Sequence, residues 1–187
     1  MKYYKLIFDF ENDKDYLLAE PCHNMEDEYI VCEGKAIEKW EPMQFECDIQ
    51  NGRVITEKLG NSYGWEILSE KALELFGEII GNDVQLLPIK VVNKHTEQEI
   101  EKYFVVNVLP FLDALDLENS VYNYFDVGSD EKLLSVIKYG IKEKKVGGRH
   151  IFRLKESPMA VFVSEKFKEI AEKNDMLGFD FVKVKVS

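Results

Sequence analysis

The sequence predicts an α+β fold in which a mixed, mainly antiparallel sheet carries two or three short helices. Three observations support this. First, one stretch occurs twice: Ile67 to Val92, ILSEKALELFGEIIGNDVQLLPIKVV, aligns without a gap on Phe162 to Val186, FVSEKFKEIAEKNDMLGFDFVKVKV. In that alignment Ser164-Glu165-Lys166 falls on Ser69-Glu70-Lys71, Glu169 on Glu74 and Phe179 on Val84. Second, short runs with period-two alternation outnumber helical ones. Third, the regular strand-helix alternation of a doubly wound sheet is missing.

Each copy reads as strand, capped helix, strand. Ser69 and Ser164 can each accept a hydrogen bond from a free N–H of a first helical turn, and the following Glu suits the positive end of the helix dipole. Ala72, Leu75, Phe76, Ile79 and Ile80 recur at helical spacing, with Gly81 placed to end the helix. Phe167, Ile170 and Ala171 do the same over a shorter helix. Val84-Leu86 and Phe179-Phe181-Lys183 alternate as strands do. This repeated unit, 67–92 and 162–186, is the predicted centre of the fold.

Along the rest of the chain, Tyr3 to Phe10 reads as an opening strand closed by the turn formers Glu11-Asn12-Asp13-Lys14. Phe45 to Ile49 alternates like a strand, and Asn51-Gly52 marks a turn before the short strand Arg53-Val54-Ile55. Val84–Val92 and Tyr103–Leu109 read as an antiparallel pair with a long connection, Pro88 marking an edge or a bulge. Phe111 to Ser120, FLDALDLENS, fits a single helical turn or a loop, and Val121 to Phe125 a strand. Ser129 or Asp130 can cap a helix running to about Tyr139, with Leu133, Leu134, Ile137 and Ile141 on one face. Gly147-Gly148 reads as a hairpin turn before the strand His150–Leu154.

At 187 residues, with 45% hydrophobic and 12% aromatic content, the chain suits one domain over 1–187 with a sizeable core. The start MKYYKLIFDF lacks the features of a signal peptide and no apolar run is long enough to span a bilayer, so the expected location is cytoplasmic. Cys22, Cys32 and Cys47 are odd in number and scattered, which agrees with a reducing compartment.

Charge is concentrated. The chain carries −11 in all, and residues 1–48 alone hold 13 acidic and 5 basic side chains. Such a surface repels nucleic-acid phosphates and membranes of like charge, keeps a protein soluble, and attracts a basic partner.

The chemistry-bearing motifs are few. The cysteines with His23 lack the paired spacing of a structural zinc site, so no metal is expected. Asp113, Asp116 and Glu118 read as turn charges, away from any EF-hand order. Gly147-Gly148-Arg149-His150 is too short a glycine pattern to cradle a phosphate. Ser69 and Ser164 lack a nucleophile elbow. No catalytic residue and no cofactor is predicted.

Several stretches together resemble a bacterial immunity-protein family, the eleventh among the immunity domains of polymorphic toxin systems. They are Tyr4-Lys5-Leu6, Ser69-Glu70-Lys71 leading to Leu86-Leu87-Pro88-Ile89, Leu115-Asp116-Leu117-Glu118-Asn119-Ser120, Ile151-Phe152-Arg153-Leu154, Val163-Ser164-Glu165-Lys166-Phe167 and Gly178-Phe179-Asp180-Phe181. The resemblance implies a non-catalytic cytoplasmic antidote, encoded beside a toxin that it binds. Many such toxins are nucleases with basic clefts, for which an acidic patch carrying aromatic anchors is the complementary surface. Glu26, Asp27, Glu28, Glu38, Trp40, Glu41 and Phe45 are therefore the expected toxin-binding face. Two other readings stay open at this point: an enzyme with a pocket near His150 or Asp113–Glu118, and a structural or regulatory module using the edge strand Lys183–Val186 or a dimer face.

Overall fold

A computed structural model of the chain describes residues 1–11, 15–126, 128 and 132–187. The turn at 12–14 and the helix caps at Ser129 and Asp130 lie outside the described residues. The fold is α+β and mainly antiparallel, as the alternation predicts. Its strands are β1 (Tyr3–Phe8), β2 (Leu18–Pro21), β3 (Gln44–Cys47), β4 (Lys58–Asn61), β5 (Ile67–Ser69), β6 (Val84–Asn93), β7 (Glu99–Val108), β8 (Phe111–Leu112), β9 (Val121–Asp126), β10 (Lys132–Lys138), β11 (Gly140–Ile141), β12 (Ile151–Leu154), β13 (Ser157–Ser164), β14 (Phe179–Lys183) and β15 (Lys185–Val186). The helices are α1 (Glu70–Ile80), α2 (Glu143–Val146) and α3 (Glu165–Lys173).

Two sheets organise the chain. A closed barrel runs β2-β3-β6-β7-β5-β4, and a five-stranded sheet runs β14-β1-β13-β12-β8. Between them lies one apolar core, in which Leu6, Val161 and Val163 of the sheet meet Leu68, Val106 and Val108 of the barrel together with α1 and α3. The two helices touch through Phe76 and Phe167, whose rings stack 3.8 Å apart at 7°. A second core fills the barrel with Phe45, Trp65, Ile67, Leu87, Val91 and Tyr103. A third covers the other face of the sheet, where Phe152 and Phe162 meet Ile141 and Val146.

In the two stretches that share Ser-Glu-Lys the capping signals behave as the sequence says. Ser69 Oγ accepts from Ala72 N at 3.2 Å and Ser164 Oγ from Phe167 N at 3.3 Å. Gly81 ends α1. The buried stripe of α1 is Ala72, Leu73, Phe76 and Ile80, so Leu73 takes the place expected of Leu75, which is exposed. Both stretches with the shared motif are strand-helix-strand: β5 and β6 flank β7, and β13 and β14 flank β1. Their surroundings differ, since one belongs to the barrel and the other to the open sheet, and α3 is the shorter helix.

Several elements differ from the sequence expectation. Residues 132–138 form strand β10, in place of a helix to Tyr139, and pair antiparallel with β9. Leu133, Leu134 and Ile137 fit a helix face by spacing, but β-branched Val136 and Ile137 favour a strand, and β9 supplies Tyr122 and Phe125 as cross-strand partners. Gly147 closes the helical turn α2 in a left-handed conformation (φ 67), where a hairpin was expected. Arg53–Ile55 contributes only a bridge from Val54 to Tyr16. The connection between β6 and β7 is short, because β7 begins at Glu99. Pro88 faces Phe104 of β7, and β3 joins β6 only from Lys90 onward, so Pro88 occupies an edge position.

Where barrel and sheet meet, Lys58 and Glu66 form a buried ion pair at 3.0 Å. Arg153 is also buried there, and its Nη1 donates to Pro158 O and Met159 O across the β12–β13 turn. Because Phe167 fills the space shared by both helices, Phe167→Ala is expected to lower stability by about 3–5 kcal/mol. Urea unfolding of the two proteins measures this.

Candidate partner-binding face

The acidic stretch between β2 and β3 has one short 3-10 turn, Ile30–Cys32, and otherwise no regular structure. Its backbone polar groups still need partners, and barrel side chains supply them. Trp65 Nε1 donates to Glu28 O at 2.8 Å, and Tyr63 OH accepts from Met25 N at 2.9 Å. Gln85 bonds both groups of Ile37, Oε1 accepting from its N–H at 2.8 Å and Nε2 donating to its carbonyl at 2.9 Å. Asn107 Nδ2 donates to Lys35 O at 2.8 Å and also to Gln85 Oε1. In the other direction, Trp40 Nε1 donates to Pro88 O at 2.9 Å.

Apolar contacts fasten the same segment. Val31 and Cys32 are buried in the barrel core, and Trp40, Trp65, Tyr63 and Phe45 form one aromatic group with ring centroids 4.8 to 6.3 Å apart. Gly34 has φ +66 and lies against Phe111, so any Cβ there would clash.

On this frame Glu26, Asp27, Glu38 and Glu41 are exposed, while Glu28 and Trp40 are half-buried. Phe45 is fully buried, which corrects its expected place on the face. It alternates inward on β3 and packs beneath Trp65, so it supports the face from inside. The aromatic that does project is Tyr29, 57% exposed, whose N–H donates to Asp27 Oδ1. Tyr29 and Phe45 are both aromatics in an acidic stretch, and the period-two alternation of 44–47 is the sequence signal that separates them, because it puts Phe45 inside.

Burial holds the cysteines protonated. It pushes the Cys32 and Cys22 thiols up and the Cys47 thiol up to about 12. Among the described residues no group of three or more His, Cys, Asp or Glu is placed to hold a metal.

The two regions open to an enzyme reading have structural partners. His150 Nδ1 lies 2.7 Å from Ser164 Oγ, which is fully buried and occupied in capping α3. Asp116 receives hydrogen bonds from Ser187 Oγ, Asn119 Nδ2 and Glu118 N, which hold its carboxyl below the usual range and fold the local turn.

Burial pushes the His150 imidazole down, Lys166 acts in the same direction, and Asp83 opposes them. A lowered folded pKa means that His150 contributes stability above its unfolded value of about 6.5, and that the contribution is lost as pH falls through the folded value. Thermal melts at pH 7 and pH 5 are expected to differ less for His150→Gln than for the wild-type chain.

Compared with family models, residues 3–186 match the one described as Immunity protein family (Imm11). No curated protein matches the chain.

Proposed function

The chain belongs to the Imm11 immunity protein family, and we propose that it acts as a single immunity-type domain that binds and neutralises a cognate bacterial toxin, without catalysis. The observation that carries this reading is the acidic segment between β2 and β3, whose irregular backbone is tied down by Trp65, Gln85 and Asn107 and whose carboxylates point outward. A binding loop ordered before it meets its partner loses little conformational entropy on association. The contact residues are Glu26, Asp27, Glu28, Glu38, Trp40 and Glu41, with Tyr29 as the exposed aromatic anchor.

The acidic surplus favours a basic toxin, such as a nuclease domain whose cleft is built for phosphates. It disfavours direct nucleic-acid binding by this chain. No helix among the described residues is long and apolar enough to cross a membrane, and action in the cytoplasm is part of this proposal. The absence of catalysis is supported by the residues that could have served it: Ser164 is a buried cap, and Asp116 is engaged by three donors.

The test is binding to the toxin domain encoded beside this gene. With Glu26→Lys and Asp27→Lys combined, the association rate at low salt is expected to fall about tenfold, and the difference from wild type to shrink as salt rises. Stopped-flow or surface plasmon resonance reads both. An unchanged rate at every salt concentration overturns the acidic face.

A further inference from the structure

The β9–β10 ribbon is the part of the fold whose exposed chemistry the acidic face leaves unexplained. It forms a sheet of its own and pairs with no other strand among the described residues. One side is anchored, because Leu134 and Val136 pack on the third core. The other side is open: Phe125 (53% exposed) and Leu133 (60%) face each other at one end of the ribbon, Val121 (50%) and Ile137 (58%) lie at the other, and the Asn123–Ser135 pair stands between them. A strand that packs on one side ordinarily turns polar residues to water on the other. Here large apolar side chains occupy the outer face on both sides of the Asn123–Ser135 pair, which marks an interaction surface.

Resting on the toxin reading above, we propose that this ribbon is a second contact surface for the same toxin. It takes an extended segment of the partner whose apolar side chains cover Phe125 and Leu133 and whose carboxylates meet Lys132 and Lys138. Charge selects this occupant. Exposed lysines stand at both ends of β10, at 132 and 138, so antiparallel pairing of two copies about Ser135 would set Lys132 of each against Lys138 of the other. The chain's net charge of −11 opposes a second copy further. A strand with acidic ends, carried by an otherwise basic toxin, avoids both penalties and sets its carboxylates beside Lys132 and Lys138.

The two surfaces then divide the work. The acidic segment offers charge and one exposed aromatic, which governs encounter; the ribbon offers desolvated apolar contact, which governs residence. Substitutions on the ribbon should therefore act on the dissociation rate.

The experiment is surface plasmon resonance with the neighbouring gene's toxin domain over wild type, the Phe125→Thr and Leu133→Thr double variant, and the Glu26→Lys and Asp27→Lys variant. Threonine keeps strand propensity at exposed positions, and Ile137→Thr serves as the second variant should the double variant melt early. The expected result is a dissociation rate raised about tenfold or more by the ribbon variant, with the association rate nearly unchanged. Wild-type binding with an unaltered dissociation rate in both ribbon variants overturns the ribbon surface and leaves the toxin reading standing. No binding by wild type overturns the toxin reading itself, and the ribbon's occupant with it. Light scattering that finds a wild-type dimer made monomeric by the ribbon variants assigns the face to a second copy, which also overturns the proposal.

Discussion

The bond from the Trp65 indole N–H to the Glu28 carbonyl states the constraint on which the candidate face depends. A stretch of chain without strand or helix cannot satisfy its own backbone, and each unsatisfied group removed from water would cost about 1–3 kcal/mol. The barrel solves this with side chains from its β4–β5 turn and from β6 and β7. Gln85 on β6 and Asn107 on β7 are neighbours in the ladder, hydrogen-bonded to each other, and together they hold Lys35 and Ile37. The acidic stretch is therefore part of the barrel's structure, and its carboxylates are displayed from a fixed frame.

The barrel can bear this role because it is itself wedged. Its strands β5 and β7 give one side to the interior, with Ile67, Tyr103 and Val105, and the other to the helices, with Leu68, Val106 and Val108. The alternation that fills the barrel thus also seats α1 and α3, and Phe76 and Phe167 tie them to the five-stranded sheet through Phe179 of β14. At the seam Lys58 meets Glu66 in a buried ion pair, and loss of either partner would leave the other charge buried and unpaired.

Much of this was legible in the sequence. Ser69 and Ser164 announced their helices because capping chemistry is local, and Phe45-Glu46-Cys47 announced a strand because alternation is local. The resemblance to an immunity family is carried by capping and core positions such as Ser164 and Phe167 along nearly the whole chain, and the family match covers residues 3–186. What failed was non-local. Residues 132–138 have apolar spacing that suits either helix or strand, and their partner β9 decides between them. Barrel closure by β2 against β4 and the bonds from Gln85 to Ile37 join residues far apart in sequence, which no periodicity encodes. Phe45 is the exception: its acidic neighbours suggest a surface anchor, while the local alternation of 44–47 points it inward, where the Trp65 and Tyr63 rings enclose it.

The central claim is that the acidic segment is ordered before it meets a partner, and amide hydrogen exchange on the free chain tests it most directly. The N–H groups of Met25 and Ile37 donate to Tyr63 OH and Gln85 Oε1, so both are expected to exchange far more slowly than an unstructured peptide, and Gln85→Ala to release Ile37 selectively. Exchange of both amides at unstructured rates in the folded wild-type chain would contradict the account.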